Sequence, residues 1–188
     1  AQDTAPLTDP GTKSVRIVRT DKPPVIDGDL SDAVWANAAV IDDMHQISPV
    51  EYAVPYEATV VYLLYDSEAL YIGMKLYDTE PELITAKNMR QNDVIAQDDR
   101  IYVTIDPFNN RRSGYYFGVN PNGVRSDGIY RNVTEFYGDW DSIYYDAAGR
   151  FDHQCPFRDV DRHPVDRDAN HLRCSLRHNR TLLSDYLS

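Results

Sequence analysis

The sequence predicts an all-β fold of short antiparallel strands, and two stretches carry that prediction. In the first, Ile101, Val103 and Ile105 alternate with Tyr102 and Thr104, the period-two pattern of a half-buried strand. Asp106-Pro107 ends this strand, because proline has no amide hydrogen to give a ladder. Polar turn residues follow from Asn109 to Gly114, and Tyr115 to Val119 begins a second strand. Asn120-Pro121-Asn122-Gly123 reads as a tight turn, after which Val124 to Tyr130 returns as a third strand. The second stretch is a hairpin. Val60, Tyr62 and Leu64 alternate before Asp66-Ser67-Glu68-Ala69, and Leu70, Ile72, Met74 and Leu76 alternate after it. These apolar residues are expected to share one face, with Tyr71, Lys75 and Tyr77 on the other. Strands joined by turns rather than crossover helices exclude a βαβ unit.

The remaining elements fit around these two. Residues 1–13 read as a flexible leader, and Val15 to Arg19 as a strand closed by Pro23-Pro24. Asp27-Gly28 is a turn, and Ser31 or Asp29 is placed to cap a short helix beginning near Asp32. Trp35, accompanied by Val34 and Ala38, is expected as a core anchor rather than a stacking platform. Val40 to Ile47 is a candidate strand, Ser48 to Pro55 a proline-broken connection, and Glu82 to Ala96 irregular or briefly helical. Trp140 to Ala148 is a further candidate strand. After Arg150 the Arg- and Asp-rich tail has no apolar period and too little apolar surface to offset its ordering entropy. It is expected to be loosely ordered, or to come from a frameshifted or artificially ended reading frame.

With 188 residues the chain is long enough for one ordinary domain with a core. Its formal net charge of −11 argues against nucleic acid and against an anionic membrane surface. No run approaches the roughly 20 apolar residues of a membrane helix. The small, polar start Ala1-Gln2-Asp3 reads as the mature end left by signal-peptide cleavage, which places the chain in the periplasm, the outer membrane or outside the cell. Cys155 and Cys174 are the only cysteines, so this is no disulfide scaffold; a single bridge and two free thiols both remain open. His153, Cys155, His163, His171, Cys174 and His178 match no common zinc spacing.

Several ordered motifs together resemble the family 9 carbohydrate-binding modules, in the variant found at the N-terminus of large bacterial outer-membrane proteins. They are Ile26-Asp27-Gly28 with Asp32 and Trp35, then Val61 to Asp66 with Ala69 to Gly73, then Asp98-Asp99-Arg100, Asp106, Tyr115-Tyr116-Phe117 and Val119 to Arg125. The resemblance covers residues 14–149. It implies a β-sandwich of jelly-roll-like or immunoglobulin-like layout, here lacking its last strands, because the expected closing strand after Ala148 is replaced by Asp152 to Phe157 and the tail. It also implies that a tryptophan, a glutamate and an arginine contact sugar in binding members, at positions held here by Ala96, Tyr102 and Gly118. Structural calcium is common in the family, and carboxylate oxygens suit it, although the Asp-x-Asp-x-Asp-Gly loop is absent here; no cofactor is required.

Asp98, Asp99 and Asp106 read as turn and capping residues rather than as the close carboxylate pair of a glycoside hydrolase, since neighbours along a strand face opposite ways. The ligand-binding candidates are Arg90, Asp99, Arg125 and Asp127, as hydrogen-bonding groups beside loop ends, with Tyr115, Tyr116 and Trp140 as stacking rings. The sequence therefore points to a non-catalytic carbohydrate-binding module of a larger exported protein involved in polysaccharide use. The alternatives are a domain docking on an outer-membrane barrel without sugar affinity and, third, part of a hydrolase domain.

Overall fold

The computed structural model describes residues 14–91, 95, 97–132 and 134–149, and the backbone of 150–151 and 170–179. Among them are ten strands, β1 Val18–Arg19, β2 Ala39–Ile41, β3 Thr59–Tyr65, β4 Ala69–Asp78, β5 Ile101–Ile105, β6 Gly114–Val119, β7 Arg125–Arg131, β8 Glu135–Tyr137, β9 Tyr144–Phe151 and β10 Asn170–Asn179. Two short 3₁₀ turns, Ala33–Asn37 and Pro81–Leu83, are the helical elements among the described residues. The first sheet runs β1-β3-β4-β10-β9, with β2 also pairing β3, and the second is the meander β5-β6-β7-β8. The pairings are antiparallel except β1 with β3, which run parallel.

The two sheets close on one core. Val61, Leu70, Ile72 and Met74 of the first sheet meet Ile101, Phe117 and Val119 of the second, with Tyr144 between them. Tyr144 also ties the sheets by polarity, since its hydroxyl donates to the Gly118 carbonyl at 3.2 Å. This is the predicted β-sandwich.

The hairpin corrects the sequence reading of its faces. Register pairs Val61 with Met74 and Leu63 with Ile72, whereas Leu64 lies opposite Tyr71 and Tyr62 opposite Gly73. Val60, Tyr62 and Leu64 therefore share a face with Tyr71 and Lys75, not with Leu70 and Ile72. That face is not solvated, because the segment from Ile26 to Ala38 folds across it. Trp35, Leu64, Ala69 and Tyr71 form a second buried cluster there, and Tyr71 has no exposure at all. Gly73 makes this approach possible. A Cβ there would lie 2.9 Å from Leu30 Cδ2 and 3.2 Å from the Trp35 ring. Trp35 is thus the core anchor the sequence indicated, 4% exposed.

Capping differs from expectation too. Asp29 accepts from the backbone amide and hydroxyl of Ser31, while Asp32 Oδ2 accepts the Val25 amide at 2.8 Å and bonds no helical amide. These acids staple the crossing segment rather than cap a helix. The candidate strand from Val40 is only three residues long and begins at Ala39. In the tail, Asn170–Asn179 lies between β4 and β9 in the first sheet. Residues 1–13, 152–169 and 180–188 lie outside the described residues, as do the zinc reading's His153, Cys155 and His163.

Candidate sugar-binding face

The second sheet has two faces, and alternation assigns each predicted ring to one of them. Tyr115, Phe117 and Val119 point into the sandwich; Tyr116 and Gly118 point away. Across the ladder, Tyr102 pairs with Gly118, Gly118 with Ser126, Tyr116 with Gly128, and Tyr130 with Phe136. The outer face consequently gathers Tyr102, Tyr116, Tyr130 and Phe136.

Their rings form one contiguous surface. Tyr102 stacks on Tyr116 with centroids 5.5 Å apart and planes 28° apart. Phe136 stands edge-on to Tyr116 at 5.4 Å, and Tyr130 meets both Tyr116, at 6.1 Å, and Phe136, at 5.0 Å. Glycine creates the room. A Cβ on Gly118 would meet Tyr116 Oη at 2.6 Å, and one on Gly128 would meet the Phe136 ring at 2.5 Å. Tyr116 is thereby nearly covered, at 8% exposure, while Tyr102 at 54% and Phe136 at 46% stand out to solvent on either side of it. Burial pushes the Tyr116 hydroxyl pKa up, and Arg100, which donates a hydrogen bond to it, opposes that shift. Arg100, an exposed residue whose Nη1 also donates to the Ile95 carbonyl at 3.3 Å and the Asp98 carbonyl at 3.4 Å, therefore edges the aromatic face.

A polar clasp fixes the loop beside this face. Asp98 accepts the amides of Lys87 at 3.0 Å and Asn88 at 3.1 Å, and the side-chain amides of Asn88 at 3.1 Å and Asn120 at 2.9 Å. Its burial opposes ionisation, but these donors outweigh it and hold the pKa at about 2. Asn122 and Gln91 add further ties between the 84–91 loop and the turn ending at Gly123, which adopts φ 71°. At the far end of β5, burial likewise opposes ionisation of Asp106, and the amides of Arg111, Phe108, Asn110 and Asn109 hold its carboxyl below the usual range. Neither acid has the raised pKa of a general acid.

The predicted site residues do not converge. Tyr116 belongs to the outer face. Tyr115 and Trp140 touch each other at 4.9 Å on the core side, where Trp140 is half-buried against Phe117 as well. Arg90 is exposed in the 84–91 loop. Asp99 ties that loop down instead of facing a ligand, its Oδ2 accepting the Thr85 amide at 2.6 Å. Arg125 and Asp127 alternate with Ser126 and so face inward. Arg125 donates to the Tyr144 carbonyl at 2.8 Å and lies 3.5 Å from Asp146, while Asp127 accepts the Ser142 amide at 2.6 Å. Burial pushes the Asp127 carboxyl up, and Asp141 adds to the push. Burial also raises Asp146 to about 6, against the pull of Arg125. These groups brace the end of the core. Tyr102, Tyr130 and Phe136 were missed because their common face appears only once the strands are registered. Among the described residues no group of three or more His, Cys, Asp or Glu is placed to hold a metal ion.

Neither protein-family models nor curated proteins match this chain. Solved structures do. A family 9 carbohydrate-binding module from Caldicellulosiruptor kristjanssonii, in complex with cellotriose, aligns with TM-score 0.52 and 19% identity, covering 87% of this chain and 66% of that one. The glucose complex of a family 9 module from the same organism gives TM-score 0.53 at 18% identity, over 88% of this chain and 69% of that one. A candidate carbohydrate-binding protein from Bacteroides uniformis gives TM-score 0.54 at 9% identity, over 90% and 75%. The chain thus spans about two thirds of the length of the family 9 modules it matches. Its fold is that of the family 9 carbohydrate-binding modules.

Proposed function

We infer that this chain is a non-catalytic carbohydrate-binding module of a larger exported protein, and that sugar lies on the outer face of the second sheet. One observation carries this reading. Tyr102 and Gly118, at positions where the resemblance places sugar contacts, lie directly opposite each other on the face that gathers Tyr116, Tyr130 and Phe136. Exposed rings supply the apolar surface on which a pyranose face stacks, and Arg100 supplies donors for its hydroxyls. Modules sharing this fold have been crystallised with glucose and cellotriose, which supports neutral glucose-based chains as the first ligands to test.

The test is calorimetric titration with neutral oligosaccharides. Saturable binding is expected, weakened about two- to twelve-fold by Tyr102→Ala, the range corresponding to loss of one ring contact of ~0.5–1.5 kcal/mol. A second reading, a docking module for a protein partner, uses the same exposed rings and draws on the loss of the tryptophan, glutamate and arginine at Ala96, Tyr102 and Gly118. Silence of the folded protein across the sugar panel would favour it.

A further inference from the structure

We propose that a separate cleft at the β5–β6 turn is a second ligand site, one that takes a single sugar-sized ring bearing a carboxylate, of the uronate class. The cleft has a volume of about 180 Å³ and is walled by Pro107, Phe108, Tyr115 and Ile129, with Ser113 and Arg131 at its polar edge. That volume lies below the roughly 300–1,000 Å³ of sites for drug-sized molecules, so it suits one ring rather than an extended chain or a folded peptide. It also lies on the other side of the second sheet from the Tyr102 face. Tyr115, Ile129 and Arg131 alternate with Tyr116, Gly128 and Tyr130, and so point the opposite way. The proposal therefore stands independently of where neutral sugar binds.

Two features give the cleft its selectivity. The first is a presented ring. Phe108 is 67% exposed, yet its loop is held, because Asp106 accepts the Phe108 amide at 3.1 Å and the Arg111 amide at 2.6 Å. Asn110 Oδ1 accepts the amides of Arg112 and Ser113 in the same turn. The backbone of the turn is thus held, with Phe108 as one wall and Tyr115 lining the cleft beside it. The second feature is local charge of the opposite sign to the chain. In a protein of net charge −11, Arg111 and Arg112 are exposed on the adjoining turn and Arg131 lines the cleft itself. The Arg131 guanidinium sits over the Tyr137 ring, 5.1 Å from its centroid. Glu135 pairs with Arg131 across the ladder, but its carboxylate accepts from Tyr137 Oη at 3.2 Å and Asn132 Nδ2 at 3.3 Å. Among the described residues no ion pair engages Arg111, Arg112 or Arg131. A guanidinium beside apolar ring walls recognises a carboxylate attached to a ring, through charge-assisted hydrogen bonds that a neutral sugar cannot match.

Glucuronate, glucose and acetate added separately to the isotopically labelled chain test this, with amide shifts as the readout. Glucuronate is expected to shift Phe108, Ser113, Tyr115 and Arg131 saturably, with about tenfold weaker binding in Arg131→Gln and in Phe108→Ala, and weaker binding in added salt. Both substituted side chains lie at the cleft surface, and retention of the remaining amide spectrum reports that each variant is folded. Glucose and acetate are expected to leave these four residues unmoved at the same concentration. Glucuronate without effect there, glucose binding equally well, or unchanged affinity in Arg131→Gln would overturn the proposal. Acetate as effective as glucuronate would overturn it too, by reducing the site to a bare anion contact.

Discussion

The carboxyl of Asp146 gives the sharpest test of how the sheets are locked at the Tyr144 end of the core. Its side chain is 7% exposed on β9, and its neighbouring cation is Arg125, whose own side chain is 37% exposed. Burial dominates the attraction, so the pKa rises from 3.8 to about 6 in the folded chain. A carboxyl with a raised folded pKa holds its proton more tightly folded than unfolded. Its contribution to stability is therefore fully present below about pH 4 and is lost as pH rises through about 6. Displacement from 3.8 to about 6 corresponds to ~3 kcal/mol without screening, and solvent access on the Arg125 side reduces this to roughly half. Asp146→Asn keeps the shape and removes the titration. Urea unfolding at half-unit steps across this window should show the parent losing roughly 1–2 kcal/mol relative to the variant as pH rises. Asp127 and the other carboxyls titrate in both proteins and cancel in the difference. Parallel pH curves for parent and variant would refute the claim that Asp146 is buried with insufficient compensation.

Three further outcomes follow from the packing and the polar clasp. Gly73→Ala should cost ~1–2 kcal/mol in urea unfolding and shift Trp35 emission, because the new methyl meets Leu30 and the Trp35 ring; no change would mean that Trp35 does not lie on β4. Asp98→Ala should raise hydrogen exchange at the amides of Lys87 and Asn88, which lose their acceptor; unchanged protection would mean that the 84–91 loop is held by something else. Trp140→Ala should lower stability by ~2–3 kcal/mol while leaving the affinity for neutral oligosaccharide intact; loss of that affinity in the folded variant would move the sugar to the Tyr115 side.

The meander was legible because alternation and turn chemistry agree. Ile101, Val103 and Ile105 alternate cleanly, Pro107 stops the strand, and Gly123 sits where the turn needs positive φ. The 60–77 hairpin was legible in position but not in facing. Both faces of β4 are buried, so Tyr71 and Leu70 are equally apolar in environment and hydrophobicity alone cannot assign register. What decides it is the crossing segment with Trp35, a contact between positions far apart in sequence. β8 went unseen because Glu135–Tyr137 is three residues long and exposed throughout, with no alternation to read. The site was half legible for a related reason. Tyr116 was identified by its chemistry, but Tyr102, Tyr130 and Phe136 join it through cross-strand pairing opposite Gly118 and Gly128. Trp140 is a stacking candidate by residue type, and nothing in its neighbours Asp139 and Asp141 signals that it packs against Phe117.

The central claim is that the outer aromatic face of the second sheet binds carbohydrate. Residue-resolved amide shifts during titration with cello-oligosaccharides test it most directly. The account predicts saturable shifts concentrated at Arg100, Tyr102, Tyr116, Ser126, Gly128 and Phe136, with Tyr144 and Asp146 unmoved. Shifts confined to the core side around Tyr115 and Trp140, or a folded spectrum that no sugar perturbs, would contradict it.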